Sequence, residues 1–390
     1  MNNNSNLKYK FNTPWNNKAN LLINSFDTNI NNTLLILATN NGYRVIDTNS
    51  FTLISYIDSF MDQIGDLYKA KTFFSSRYVY FVGNEANASF PPNQLIVWDD
   101  YMKRKENMIM IKENIHDFFF SKFILCVCVS NEILVFDNIK FNFIHKIEDI
   151  ASNIHQIVTY GFNEDDTMIA KVGCSTMNIV NIYIYRSKKG KIYLKKENLH
   201  IDTFDCINAI HFDIYNHNDL IVISKFGNKI HIYSYDEKYS FKLKNCFYLG
   251  NCICNISNTF IYNDKYFFFM NSSENIQIYK LIKKINSTKT KIHIKCTCKE
   301  HSDEKQVVIS KSKSSSSKSL IGGLIRKFTG VNEMYQNVIV NNGRGCVMFH
   351  HKKMKKTFVV INKNGKALLV RYGKKDKMNP KVIKEVTWLH

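Results

Sequence analysis

Phe90-Pro-Pro-Asn-Gln-Leu-Ile-Val-Trp-Asp-Asp100 reads as a closed turn that delivers the chain into a short strand. Prolines are tolerated just before a strand, where a missing N–H breaks no ladder. The residues of Leu95–Asp99 alternate with period two and suit a pleated surface with one side buried, and Trp98 offers a large apolar anchor. Working outward, six more runs have the same character: Tyr43–Asp47, Ile133–Asp137, Ile182–Tyr185, Ile230–Tyr233, Ile276–Tyr279 and Leu368–Tyr372. No helical pattern longer than a few turns precedes residue 320.

The runs recur at intervals of roughly 40 to 50 residues, the length of one four-stranded propeller blade. One interval, Tyr279 to Leu368, is far longer and contains Ser310-Lys-Ser-Lys-Ser-Ser-Ser-Ser-Lys-Ser319, a composition too polar to order itself. The spacing predicts an all-β, seven-bladed WD-repeat-like propeller over 21–390, with a disordered insertion (281–330) in blade six and a polar tail at 1–20. Unrelated strands of a sandwich or of two barrels are the alternative, and regular spacing argues against it. Radial repetition leaves only short, protected sheet edges.

The 390 residues carry 53 basic and 33 acidic side chains, a net charge of +20, so polyanions are attracted, whether nucleic acid or an acidic leaflet. Asn and Lys are abundant, and part of that bias is compositional drift. Met1 to Tyr9 is polar and lacks the apolar centre of a signal peptide, and no apolar run is long enough for a spanning helix. The expected compartment is the cytosol, with reduced thiols. The pairs Cys126/Cys128, Cys252/Cys254 and Cys296/Cys298 each put two thiols on one face of a strand, and buried free thiols are the simplest reading. Cys296, Cys298 and His301 lack the second cluster a zinc site needs, so no metal is expected.

Three segments resemble the PROPPIN family of WIPI-type propellers. Leu35-Ile-Leu-Ala-Thr-Asn-Asn-Gly-Tyr-Arg-Val-Ile-Asp-Thr-Asn-Ser-Phe51 is similar to the family's first blade, with its Gly-aromatic-Arg turn. Phe90–Asp100 matches the second-blade pattern Pro-Pro-Asn followed by Trp-Asp-Asp without a gap, and Leu320-Ile-Gly-Gly-Leu-Ile-Arg-Lys-Phe-Thr-Gly330 looks like the segment after the long loop of blade six. The resemblance implies a non-enzymatic scaffold on phosphatidylinositol 3-phosphate or 3,5-bisphosphate membranes. Its setting would be autophagy or related vesicle traffic, peripherally on autophagosomal, endosomal or vacuolar membranes. Autophagy lipid-transfer or conjugation proteins are the implied partners, and no cofactor is implied.

The family's two head-group pockets rest on an Arg-Arg pair, because a guanidinium is a rigid fork that matches phosphate. Here Phe247-Tyr248-Leu249-Gly250 stands at that place, and both arginines are gone. By resemblance Ser224 and Gly227 are kept, Asn228 replaces a Thr, His231 an Arg, and Asn275 and Gln277 a Thr and a His. A hydrogen bond to a charged group contributes about 1.5–3 kcal/mol, so each pocket should weaken roughly ten- to a hundred-fold. A charged His231 beside a phosphate would compensate in part. Taken without the family, Phe247 and Leu249 pack and Gly250 supplies a turn.

The insertion is the implied second membrane contact: Lys311, Lys313, Lys318, Arg326 and Lys327 crowd Leu320, Ile321, Leu324, Ile325 and Phe328 at helical spacing. Packing back on the propeller is the plainer fate of that segment. Lys352-Lys353-Met354-Lys355-Lys356 reads as a hairpin tip in blade seven. No phosphate-binding loop, H-E-x-x-H or G-x-S-x-G motif is present, so an enzyme is not expected. Nucleic-acid binding rests on net charge alone and is not expected either. The rival reading is a propeller that acts only as a protein–protein scaffold without specific lipid binding.

Overall fold

The computed structural model of the chain describes residues 21 to 387 apart from 30–31, 58–63, 73–74, 76, 86–88, 149, 151–157, 164–168, 177, 189, 202–205, 214–217, 237–239, 249–255, 263–265, 272–274, 281–333, 340–345, 352–353, 355, 363–365 and 372–380. The polar start, most of the basic insertion segment and Tyr372 therefore lie outside the described residues.

Seven antiparallel sheets follow one another along the chain, each of four consecutive strands in simple order. The first three are β1 (Ile23–Thr28), β2 (Leu34–Thr39), β3 (Gly42–Asp47), β4 (Leu53–Ile57); β5 (Leu67–Thr72), β6 (Tyr78–Gly83), β7 (Gln94–Asp99), β8 (Arg104–Met110); and β9 (Asp117–Phe120), β10 (Ile124–Cys128), β11 (Ile133–Asp137), β12 (Phe143–Ile147). The next two are β13 (Val158–Asn163), β14 (Ile169–Thr176), β15 (Ile179–Lys188), β16 (Lys191–His200); and β17 (Ile207–Phe212), β18 (Asp219–Ser224), β19 (Lys229–Asp236), β20 (Ser240–Tyr248). The last two are β21 (Ile256–Tyr262), β22 (Tyr266–Asn271), β23 (Asn275–Lys280), β24 (Met334–Ile339); and β25 (Cys346–His350), β26 (Thr357–Asn362), β27 (Lys366–Arg371), β28 (Lys381–Thr387). The seven runs picked out in the sequence are the third strands of the seven sheets. They are legible because a third strand is covered on both faces and keeps its apolar alternation.

First strands of neighbouring sheets touch, as β1 does β5, β13 does β17 and β21 does β25, whereas fourth strands such as β8 and β16 are mostly exposed. The first strands therefore line an axis and the fourth strands form the rim. Each sheet packs its apolar side chains on the next. Ile36, Tyr43 and Val45 meet Phe81, Ile96 and Trp98, and Val97 and Val82 meet Phe118 and Leu125. Cys126, Cys128 and Val135 meet Val172 and Tyr185, and Ile182 and Ile184 meet Ile210 and Val222. Finally Leu35, Leu37 and Phe51 of the first sheet pack on Val359, Ile361 and Leu369 of the last. The circle is closed. It is a seven-bladed β-propeller, and among the described residues its closure rests on side-chain packing, with no strand shared between first and last sheets.

The turns explain why the third strands stop where they do. Oδ1 of Asp47 accepts from the N–H of Asn49 and Ser50, that of Asp99 from Tyr101 and Met102, and that of Asp137 from Ile139 and Lys140. One carboxylate thus gathers two amides that would otherwise be unpaired at the end of a ladder. The Met102 amide, then Arg77 and the Tyr101 amide, hold the Asp99 carboxyl below its ordinary range against the opposing effect of burial. At the axis, Lys71 bridges three sheets through Asp27 at 3.0 Å and Asp117 at 3.2 Å, and Lys69 meets Asp117 at 2.9 Å. Burial would pull the Lys71 ammonium down, but Asp117 and then Asp27 outweigh it and leave it raised and charged. Cys126 and Cys128 are buried free thiols on one face, pushed up by burial.

Asp100, the last residue of the stretch quoted first, is buried where the first two sheets meet. It accepts from the Tyr43 hydroxyl at 2.5 Å, from the Ser55 hydroxyl and from Lys103 Nζ at 2.8 Å. Truncation would take the carboxylate away from the hydroxyl of the fully buried Tyr43 and from Ser55. Asp100→Ala should therefore lower the unfolding free energy by about 2–3 kcal/mol, read as a lower urea midpoint. A midpoint equal to wild type would mean the carboxylate does not hold the two sheets together.

Candidate functional site

The fifth and sixth sheets are joined by two contacts. Phe247 on β20, buried to 2%, stacks on Phe267 of β22 with ring centroids 5.1 Å apart, and the Ile261 N–H donates to Asp213 Oδ1 at 2.6 Å. Burying such an aromatic contributes about 2–3 kcal/mol, and the stacking about 1 more. Phe247 is thus a core residue between sheets, as its packing alone predicts.

Around this seam the residues named from the sequence fall at one end of the two sheets. Ser224 closes β18, Asn228 lies in the turn to β19, Tyr248 ends β20 opposite Lys229, and Asn275 opens β23 opposite Ile339. Gln277 stands further along β23, opposite Phe269 and Asn337. Leu249 and Gly250 lie outside the described residues, as do Lys318, Leu320, Ile321, Leu324, Ile325, Arg326, Lys327 and Phe328. The backbone does fix where that segment belongs: β23 and β24 pair although residues 281–333 run between them, so the insertion joins the third and fourth strands of the sixth sheet.

The described side chains have local duties. The Ser224 hydroxyl donates to Asn228 Oδ1 at 2.9 Å and accepts the Lys229 N–H at 3.0 Å, and Gly227, at φ 67°, supplies the left-handed step between them. The pair clamps the turn, and a ligand would have to compete with that clamp. His231 lies on β19 between Val222 and Cys246, with Nδ1 3.1 Å from the Tyr233 hydroxyl. Burial, and after it Lys229, pulls its imidazole down to about 4. It is neutral at pH 7, so the compensating cation expected opposite a phosphate is not there in the unliganded chain. Among the described residues this end offers an anion one half-buried neutral imidazole, one hydroxyl and one amide, with Lys229 and Lys225 as nearby cations in sequence. Resemblance picked these residues out, and the backbone places them at one sheet end. The clamp and the lowered imidazole were not legible in the sequence, because both depend on burial.

No family model matches the sequence, and no curated protein does. Solved structures do. Hsv2 of Kluyveromyces marxianus aligns over 94% of this chain and 99% of its own at 13% identity and a TM-score of 0.63. Kluyveromyces lactis Hsv2 aligns over the same shares at 12% identity and 0.67. KlAtg21, solved in complex with the coiled-coil of AgAtg16, gives 13% identity and 0.65 over 94% of this chain and 99% of its own. Hsv2 and Atg21 are PROPPIN β-propellers. This chain has their fold. At such identities the PROPPIN likeness rests on the course of the backbone.

The seam makes a pH prediction. His231 and the half-buried His211 of β17 fold with imidazoles pulled down by burial to about 4, whereas an unfolded His titrates near pH 6.5. The unfolded chain therefore binds more protons between those values. The stability from keeping them neutral is complete above about pH 6.5 and is lost as pH falls toward 4. Each imidazole should cost about 2 kcal/mol of stability by pH 5, and His231→Gln should remove close to half of the two-histidine slope in urea midpoint against pH. A slope unchanged in that variant would show His231 to be exposed to protonation in the folded chain.

Proposed function

We propose that this chain is a divergent PROPPIN: a non-enzymatic scaffold that associates with phosphatidylinositol 3-phosphate or 3,5-bisphosphate membranes in autophagy or related vesicle traffic. The observation that carries the reading is the likeness to Hsv2 and Atg21 over nearly the whole of both chains. The insertion adds support. It joins the third and fourth strands of the sixth sheet, the position that the name loop 6CD denotes in a structure of K. lactis Hsv2 with that loop complete. The Trp98-Asp99-Asp100 stretch adds further support, since it builds the seam between the first two sheets. KlAtg21 was solved with a coiled-coil of AgAtg16, so a coiled-coil of an autophagy protein is the partner class proposed here. The proposed location is the cytoplasmic side of autophagosomal, endosomal or vacuolar membranes, held peripherally.

A second reading is favoured on the narrower question of head-group specificity. Tyr248 stands at the strand end where resemblance calls for arginine, Ser224 and Asn228 are engaged with each other, and His231 is neutral. These features support a propeller that keeps protein recognition and has given up the specific lipid pocket.

Flotation of the purified chain with liposomes separates the two. One set carries phosphatidylinositol 3-phosphate and the other phosphatidylserine at matched charge, each at low and at physiological salt. A working pocket built from Ser224, Asn228, His231, Asn275 and Gln277 gives a preference for the phosphoinositide that survives salt. That preference should strengthen as pH drops toward 5, because a bound phosphate favours the charged His231 imidazole. Equal, salt-sensitive binding to both lipids would retire the specific pocket and leave the protein-scaffold reading.

A further inference from the structure

At one register position all seven sheets can be compared: the residue on the third strand that faces the first residue of the second strand. It is Asp47, Asp99 and Asp137 in the first three sheets, and Arg186, Ser234, Lys280 and Arg371 in the next four. All these positions lie at the third-to-fourth-strand turns, which by alternation of strand direction emerge on one face of the ring. At this register the aspartates of the first three sheets give way to arginine in the fourth and the seventh.

In the fourth sheet the loss of the aspartate changes the shape as well as the charge. With no carboxylate to gather the following amides, the ladder continues through Ser187 opposite Ile192 and Lys188 opposite Lys191. Strands β15 and β16 reach 10 residues each, against 5, 7 and 5 in β4, β8 and β12. Gly190, at φ 72°, turns the tip, and nothing lies within 4 Å of where its Cβ would be. Lys188 and Lys191 are exposed and form no ion pair among the described residues. Tyr193 and Leu194 are 54% and 44% exposed. Adjacent strand residues point to opposite sides, so exposure of both means that the hairpin is uncovered on both sides. Lys195, paired with Glu197, and Lys196, over the Tyr183 ring, guard the rim edge against pairing with another strand.

We propose that the tip of the β15–β16 hairpin is a contact element for an anionic membrane leaflet, with Lys188 and Lys191 at head-group level and Tyr193 and Leu194 entering the interface. The proposal rests on the membrane reading above but not on the head-group pocket. Lysines beside an exposed aromatic and a leucine match a surface that is anionic outside and apolar beneath. The guarded edge argues against a strand-adding protein partner. The contact is blind to head-group identity: it reads charge.

The test uses the full chain with three vesicle types: phosphatidylcholine alone, phosphatidylcholine with phosphatidylserine, and phosphatidylcholine with phosphatidylinositol 3-phosphate at matched charge. Lys188→Ser with Lys191→Ser should lower partitioning onto phosphatidylserine vesicles roughly twenty-fold at low salt. Tyr193→Ser with Leu194→Ser should lower it about ten-fold with little salt dependence. All four side chains are exposed, so both variants should melt with wild type, which separates lost contact from lost fold. In a third variant, Tyr193→Trp, indole emission should shift to the blue on anionic vesicles and not on phosphatidylcholine. Wild-type partitioning by both double variants, or no emission shift while the protein floats, overturns the hairpin contact. Were the wild type to float only with the phosphoinositide and the variants to follow it equally, the hairpin contact alone would fall. No flotation with any vesicle would bring down the membrane reading as well.

Discussion

A four-stranded sheet with apolar residues on both faces cannot be buried alone, and everything else in this protein follows from that requirement. Each sheet is covered by the one before and the one after, so the arrangement is stable only when the circle is complete. Here the last joint packs Leu35, Leu37 and Phe51 against Val359, Ile361 and Leu369. Among the described residues no backbone ladder ties the first sheet to the last, and closure depends on the fit of those side chains. The axial cluster helps at the start of the ring, where Lys71 holds Asp27 and Asp117 from either side. A buried ion group of this kind adds little net stability, but breaking it would strand a charge, so it fixes the relative position of three sheets.

The fold was legible because the most regular strand in each sheet, the third, is the one whose alternation survives in the sequence. Its seven copies give the count, and the pairing of β23 with β24 confirms that the long interval belongs inside one sheet. Strand length was less legible. Ile182–Tyr185 is the middle of a strand more than twice as long, and Leu368 to Tyr372 begins two residues late. Lengths depend on what happens at the turn: an aspartate that collects amides stops the ladder, and at Arg186, which stands in its place in the fourth sheet, the ladder runs on. That signal is present in the sequence at Arg186. It becomes interpretable only when register shows it to be equivalent to Asp47, Asp99 and Asp137.

Resemblance picked out Ser224, Asn228, His231 and Tyr248, and the backbone brings them to one end of the fifth sheet. The ionisation of His231 and the engagement of Ser224 are consequences of burial and turn geometry. Neither quantity is written in a motif. Imidazole chemistry alone predicts a cation near neutral pH at a phosphate; the folded environment gives a neutral ring held beside Tyr233.

The place of Phe247 beside Tyr248 and Leu249, where the resemblance calls for two arginines, also has a physical logic. Phe247 fills the joint between sheets five and six, and its loss would open a cavity in the ring, so the requirement on it comes from folding. The next positions carry no such requirement, since a strand end accepts many side chains once its backbone is paired. Anion recognition and ring integrity are therefore separable within four consecutive residues. A chain under weak demand for head-group specificity can drift at Tyr248 and Leu249 while Phe247 stays. On the proposed reading, membrane attraction would rest on features that need no pocket, chiefly the exposed lysines of the β15–β16 hairpin. Charge spread over an exposed hairpin tolerates substitution one lysine at a time, whereas a two-arginine pocket fails when either is lost.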